Sequence, residues 1–194
     1  DMSLIKQPFG FGAGGRADMS DIPQTNLIHH WRADTGVTLS GSLVTDWEDQ
    51  KGSEDWTQGT NSKRPTYSAS SGPNDLDGIT FDGSNDALQN TTINRAQPFH
   101  LFLALKLGTQ AAQKELWVSR NPTAVQLTSQ YPSGQDNITL VAGLAGPQVS
   151  TWSDDTAYLV AAYADGASST LNKNNGTPAA GNAGTNGIGN GGTP

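Results

Sequence analysis

The chain has 194 residues, of which 34% are hydrophobic and 15% are charged, and its formal net charge is −7 at neutral pH. Its eleven basic residues are dispersed, whereas contact with nucleic-acid phosphates needs clustered Lys and Arg, so nucleic acid is not expected as a partner. The sequence has no run of about 18 apolar residues, which a membrane helix requires, and no Cys for disulfides, thiolate metal sites or thiol nucleophiles.

Glycine and proline dominate the local structural signals. Twenty-three Gly and ten Pro are scattered along most of the chain, and they interrupt every stretch that could form a long helix. The chain length suits one all-β domain. We therefore expect strands and turns around a single core.

We interpret residues 1–25 as a Gly-rich N-terminal arm. The arm contains four large apolar residues, Leu4, Ile5, Phe9 and Phe11, in an aperiodic setting. One hypothesis is a disordered tail. The other is an anchor whose apolar side chains dock on another chain.

Short apolar runs separated by turn residues begin at residue 26 and predict strands. These runs lie at residues 27–31, 42–47, 78–81, 98–108, 115–119, 124–131, 137–144 and 157–166. The clearest is 98–108, where Phe99, Leu101, Leu103, Leu105 and Leu107 alternate with other residues and predict one core-facing side. Strands at intervals of roughly 8 to 15 residues predict an antiparallel sandwich or barrel.

The sequence FDGSND at residues 81–86 predicts a tight turn between strands. Asp82, Asn85 and Asp86 offer oxygens that could instead bind calcium, although the segment does not match a twelve-residue calcium loop. The turn is the favoured interpretation. Upstream, Trp47 is expected in the core, and Asp49 is expected to hold the following loop through hydrogen bonds to the backbone.

Residues 179–194 are rich in Gly and Asn and contain one large apolar residue, Ile188. We expect either a flexible tail or a link to further strands. Because position 1 is not Met, we expect both ends of the chain to be incomplete.

Taken in order, several motifs resemble the concanavalin A-like, laminin G-like jelly-roll family. They are Trp31 with Asp34, WED at 47–49 leading to Gly52, RPT at 64–66, FDGSND at 81–86 with Leu88, the strand at 98–107, YADG at 163–166 and NNG at 174–176. The resemblance covers residues 26–178. After Gly176 the sequence departs from the family, whose members usually continue through further closing strands.

This resemblance implies an antiparallel two-sheet jelly-roll sandwich preceded by an extended arm. Enzymes on this sandwich carry catalytic carboxylates as Glu-x-Asp-x-x-Glu on one strand, and that pattern is missing here, so we expect no catalytic residues. His29, His30 and His100 are not placed to share a metal ion, so no metal-ligand set is predicted.

Two tryptophans are candidates for stacking on a sugar. Trp56 and Trp152 lie in polar, loop-like sequence, whereas Trp31, Trp47 and Trp117 lie in apolar runs. An aromatic ring offers a flat apolar face to a pyranose.

The leading hypothesis is a non-catalytic bacteriophage virion protein, such as a capsid decoration, head-fibre or tail-associated subunit. Its partners would be other virion proteins or copies of itself, and host or environmental glycans. The alternative is a carbohydrate-binding module of a secreted or cell-surface bacterial protein. Both hypotheses rest on resemblance and composition rather than on a reactive site.

Overall fold

The computed structural model describes residues 25–108, 114–119, 125–129, 137–150 and 152–188. Across these residues the chain is all-β, with thirteen strands in three antiparallel sheets and no α-helix. The predicted anchor residues Leu4, Ile5, Phe9 and Phe11 lie outside the described residues. In the described part of the chain, no helix has the length and apolar character needed to cross a membrane.

The first sheet is formed by the N-terminal strands in the order β1-β2-β4-β5, with β3 beside β2. Its strands are β1 (Val37–Ser40), β2 (Leu43–Trp47), β3 (Trp56–Thr57), β4 (Thr66–Ser68) and β5 (Gly78–Thr80). Val44 on β2 is fully buried, and the backbone of Thr57 also pairs with that of Gln89.

Two four-stranded sheets form the rest of the molecule. The second sheet has the order β10-β9-β8-β7 and contains β7 (Lys114–Ser119), β8 (Val125–Ser129), β9 (Asn137–Ala142) and β10 (Ala145–Ser150). The third has the order β13-β12-β11-β6 and contains β6 (Phe99–Lys106), β11 (Ala157–Ala164), β12 (Ser169–Lys173) and β13 (Ala179–Gly181).

The core lies between the second and third sheets. Fully buried Leu127 and Leu140 from the second sheet belong to the same cluster as Val160 and Leu171 from the third. Because both inner faces contribute large aliphatic side chains, burial of this apolar area holds the two sheets together. This sandwich-like arrangement confirms the all-β, antiparallel prediction.

Strand β6 follows the predicted alternation. Its odd-numbered residues pack against the core, and its even-numbered residues are exposed. Opposite each exposed residue of β6, the antiparallel strand β11 presents a residue on the same outer face. The alternation therefore creates a core face and an outer face on the third sheet.

The structure differs from the sequence prediction at several places. Residues 27–31 are not a strand, because their polar groups bond to loops rather than to a neighbouring strand. After the turn at 82–85 the chain does not form a hairpin with β5; Gln89 pairs instead with Thr57. The segment from residue 179, for which a flexible tail or a link to further strands was predicted, pairs with β12 as β13.

The C-terminal segment also enters the core. Ala183 is fully buried, and its backbone bonds to that of Ala142 and Leu144, while Ile188 is mostly buried and pairs with Arg95. A Cβ built on Gly146 of β10 would lie 2.6 Å from the Ala183 Cα. The small residues of this segment thus permit close packing against β10.

Candidate functional site

The outer face of the third sheet is a continuous surface of apolar and aromatic side chains. On β6 it carries His100, Phe102, Ala104 and Lys106, all exposed. On β11 the residues directly opposite are Tyr163, Ala161, Leu159 and Ala157, in that order. Phe102 is 62% exposed, the largest value among the large hydrophobic residues of the described chain.

Three rings on this face form a stack. The His100 ring lies 4.5 Å from that of Tyr163, with 26° between the ring planes, and 6.0 Å from that of Phe102, with 8° between the planes. The planes of these rings are therefore close to parallel, with His100 between the other two in register. Such contacts between aromatic rings stabilise the arrangement by about 1 kcal/mol each.

The stack is electrically neutral near pH 7. The neighbouring side chains partly bury the His100 ring and lower its pKa, which favours the uncharged imidazole. The Tyr163 hydroxyl donates a hydrogen bond to Asp165 Oδ2 at 3.0 Å, and this bond raises the pKa of Tyr163. Charged groups on this face are thus found at its ends, at Asp165 and Lys106.

Strand β12 adds polar groups beside the rings. Thr170 lies opposite Tyr163, and Asn172 lies opposite Ala161, which in turn lies opposite Phe102. One row across the sheet therefore contains the Phe102 ring, the Ala161 methyl group and the Asn172 amide as neighbours. The Asn172 amide donates to Gly176 O at 2.8 Å, which fixes its position.

Trp56, the first predicted sugar-stacking residue, lies in a separate cluster at the first sheet. Its ring meets Trp31 edge to face at 5.7 Å, and Trp31 in turn stacks on His29 at 5.3 Å. Trp56 is half-buried. Nearby, Glu54 accepts a hydrogen bond from the Thr92 hydroxyl.

A buried carboxylate organises the loops under this cluster. Asp49 has no exposed side-chain surface; it accepts from His29 Nδ1 at 2.6 Å, from His30 N at 2.9 Å and from Lys51 N at 3.0 Å. This confirms that Asp49 holds the following loop. The opposite nitrogen of the imidazole, His29 Nε2, accepts from Arg95, so the ring is the tautomer protonated at Nδ1.

Hydrogen bonding controls the ionisation of Asp49. Burial by itself would raise the pKa of this carboxyl group. Backbone N–H groups of Gly52, His30 and Lys51, with the His29 ring, outweigh burial and lower the pKa to about 2. The Asp49–His29–Arg95 chain is therefore a charged structural link between three loops.

Trp152, the second predicted sugar-stacking residue, is packed against the core. Its ring lies 3.9 Å from that of Tyr158, and the Lys173 ammonium lies 5.8 Å from its centre. Its Nε1 is buried and has no hydrogen-bond partner among the described residues. Trp56 thus lies on β3 of the first sheet, whereas Trp152 lies between β10 and β11 against the core.

The Asp82 turn uses its carboxylate to bind its own backbone. Asp82 Oδ1 accepts from the N–H groups of Ser84, Asn85 and Asp86, which lowers the pKa of Asp82. The Asp86 carboxylate accepts a hydrogen bond from the Asp82 N–H. Within the described residues, His and acidic side chains do not form a group of three that could hold a metal ion.

The ring stack was missed as a candidate site by the sequence analysis. Alternation on β6 separates His100 and Phe102 from the core-facing leucines, and that signal was visible. The contribution of Tyr163 was not visible, because it depends on the pairing of β6 with β11. In that pairing Tyr163 lies opposite His100, which is 63 residues earlier in the chain. Such a surface is indicated by aromatic residues at the solvent-facing positions of an amphipathic strand.

Comparison of the chain with protein-family models, with curated proteins and with solved structures finds no match.

Proposed function

We propose that this chain is a non-catalytic structural and adhesive module of a particle surface, a decoration, fibre or tail-associated part of a bacteriophage virion. The observation that carries the proposal is the outer face of the third sheet, where Phe102 is 62% exposed and lies in one row of rings with His100 and Tyr163. A contiguous apolar surface on an otherwise polar, acidic chain is typical of a contact site with another molecule.

Two further features support a module of this kind. The sandwich is built on a buried aliphatic core, which gives a rigid support for an exposed sheet face. The sequence resemblance to laminin G-like jelly rolls supports an adhesive role, and we propose the jelly-roll connection on that resemblance. The virion assignment rests on the same resemblance and on the Gly-rich arm at residues 1–25.

The test is quantitative mass spectrometry of particles purified from a culture that expresses the gene. We expect the chain in a fixed ratio to the other particle proteins, as a structural subunit would be. Deleting residues 1–22 should abolish this attachment and leave the β-type circular dichroism spectrum unchanged. If the full chain is missing from purified particles, the virion proposal fails.

A carbohydrate-binding module of a secreted or cell-surface bacterial protein is the second candidate. The row of Phe102, Ala161 and Asn172 favours it, because it places an apolar ring and an amide on one open face. Secretion of the full chain without particle association would support this candidate over the virion.

A further inference from the structure

We propose that the free edge of β6 pairs with β6 of a second copy of this chain. In this dimer the two strands run antiparallel about a two-fold axis at Phe102, and the third sheets of both copies join into one continuous sheet. The contact uses backbone groups at the edge and leaves the outer face of the sheet accessible. The inference goes beyond the proposed function, because it concerns the chain alone and requires no particle.

β6 forms one edge of the third sheet. β11 lies on one side of it, and the two strands pair over all eight residues of β6 without a shift in register. Among the described residues, no backbone group is hydrogen-bonded to the other side of β6. An open edge of this kind is a template for a further strand.

The hydrogen bonds of β11 show which groups of β6 face the open side. Asn174 N donates to Leu159 O at 2.8 Å, so the backbone of Leu159 is directed at β12. Successive residues of a strand direct their N–H and C=O groups to opposite sides, so Val160 faces β6, where it pairs with Leu103. Odd-numbered residues of β6 therefore bond to β11. The even-numbered residues direct their N–H and C=O groups to the open edge, and they are His100, Phe102, Ala104 and Lys106.

The side chains on the core face give independent evidence that this edge lacks a neighbouring strand. On β11, which has neighbours on both sides, the core-facing Val160 and Ala162 are at most 2% exposed. On β6, the core-facing Leu101, Leu103 and Leu105 are only partly buried, although they pack against the same core. A strand added at the open edge covers this apolar margin, and burial of that surface favours the pairing.

The other outer strands of the three sheets carry features that discourage such pairing. β1, β3, β5 and β13 have only two to four residues each. β7 and β10 each contain an irregularity in register, and β10 also contains Pro147, which lacks an N–H group. Short strands, bulges and Pro are the usual protection of sheet edges. β6 has eight residues without Gly or Pro, so it is the edge best suited to a partner.

Charged residues at the two ends of the edge favour a second copy as the partner. With Phe102 on the two-fold axis, antiparallel pairing sets Lys106 of one copy opposite Pro98 of the other. Asp165 lies beside Pro98 on the far side, one residue beyond the end of the β6–β11 pairing. Adjacent strands are about 4.8 Å apart, so the backbones of Lys106 and Asp165 are roughly 10 Å apart, which the two side chains can span. Two such pairs, one on each side of the axis, make identical edges complementary in charge.

The neighbouring register lacks this match. The core faces of both copies must lie on the same side of the joined sheet, so the next allowed axis is at Leu103. That axis sets Lys106 opposite His100, and the row then continues to Tyr163 rather than to a carboxylate. With the axis at Phe102, in contrast, the two Phe102 rings lie side by side on the outer face as a favourable cross-strand pair.

Sedimentation velocity of the full chain over a wide range of concentrations measures the dimer, and we expect a reversible monomer–dimer equilibrium. Ala104→Pro removes an N–H group that points to the open edge and not to β11, so the fold should persist. The variant loses one bond to the partner in each copy, and its dissociation constant should rise roughly tenfold or more. Ala104→Ser keeps the N–H group and is the matched control, whose dissociation constant should equal that of the parent chain.

A charge exchange tests the register separately, and it decides the question if circular dichroism shows that Ala104→Pro does not fold. Lys106→Glu alone and Asp165→Lys alone should each weaken the dimer severalfold, because like charges then meet in one row. The double variant restores opposite charges in that row. Its dissociation constant should therefore return to near that of the parent chain.

A chain that stays monomeric at every concentration would overturn the dimer. So would a dimer that a folded Ala104→Pro leaves intact, or a loss of affinity in the single charge variants that the double variant does not restore. These results are distinct from the particle test above. A monomer found in fixed ratio on particles refutes the dimer alone, whereas a dimer missing from particles refutes the virion proposal alone.

Discussion

Asp49 shows how a single residue fixes the N-terminal loops. Sequence alone indicated that an Asp two residues after a strand-ending Trp would bind the backbone that follows, and it does so through Lys51. The bond to His29, twenty residues earlier, was not predictable, because it depends on how residues 27–31 fold back onto the loop. Local capping is encoded in neighbouring residues, whereas the partner of a buried ring is set by tertiary structure.

The low pKa of Asp49 predicts acid sensitivity with a definite sign. Its carboxyl has a pKa of about 2 in the folded chain and the ordinary value of 3.8 when unfolded. The stabilisation is present above about pH 4 and is lost as the pH falls toward 2, because the unfolded chain takes up the proton first. We expect the free energy of unfolding to drop by roughly 1 to 2 kcal/mol over this range.

Urea unfolding followed by Trp fluorescence between pH 2 and 6 measures this effect. Asp49→Asn should be less stable at pH 6 and should show a flatter pH profile than the parent chain. Asp82→Asn provides a comparison, since the pKa of Asp82 is also lowered but its side chain is exposed. An unchanged slope in Asp49→Asn would contradict the role assigned to this carboxylate.

Gly52 is required by close packing against the same network. A Cβ at this position would lie 2.5 Å from Asp49 Oδ2 and 3.0 Å from His29 Nδ1. We expect Gly52→Ala to destabilise the fold by about 1 to 3 kcal/mol, as overpacking does. Gly59→Ala is the matched control, because nothing lies within 4 Å of its Cβ. Equal denaturation midpoints for the two variants would argue against the packing described here.

At the scale of the element, strands with a strong apolar alternation were predicted and those without it were not. β6, β8, β9 and β11 are rich in aliphatic residues, and the predicted segments contain them. β10 and β13 contain Gly, Pro and Ala, whose weak strand preference gives no signal. These strands form because neighbouring strands supply hydrogen-bond partners, which a single sequence does not display.

Gln97 joins three segments that are distant in the sequence. Its Oε1 accepts from Gly166 N at 2.7 Å, and its Nε2 donates to Gly184 O at 3.0 Å and to Asn186 O at 2.7 Å. The side chain thereby ties the start of β6 to the loop after β11 and to the C-terminal segment.

We expect Gln97→Ala to cost about 1 to 3 kcal/mol, because it leaves half-buried backbone groups without their partner. Urea denaturation gives the total loss, and hydrogen exchange should be faster at Gly166, whose N–H loses its acceptor. Gln89→Ala is the control, since its exposed side chain makes no such link. Unaltered exchange at Gly166 would rule out the proposed connection.

At the scale of the whole molecule, the all-β class and the sandwich-like arrangement could be predicted, whereas the division into three sheets could not. The prediction came from turn residues and strand spacing, which are local. Sheet order depends on which strands meet, as when β6 pairs with β11 across more than 50 residues. The ring stack arises from that pairing, so it belongs to the assembled fold rather than to any one strand.

We propose that this chain meets its partner through the outer face of the third sheet. Hydroxyl-radical footprinting of the free chain and of the chain on its native particle or cell surface measures this directly. We expect labelling of Phe102 and Tyr163 to fall severalfold on the assembly while labelling of Phe81 stays the same. Equal labelling of Phe102 in the free and assembled states would contradict it.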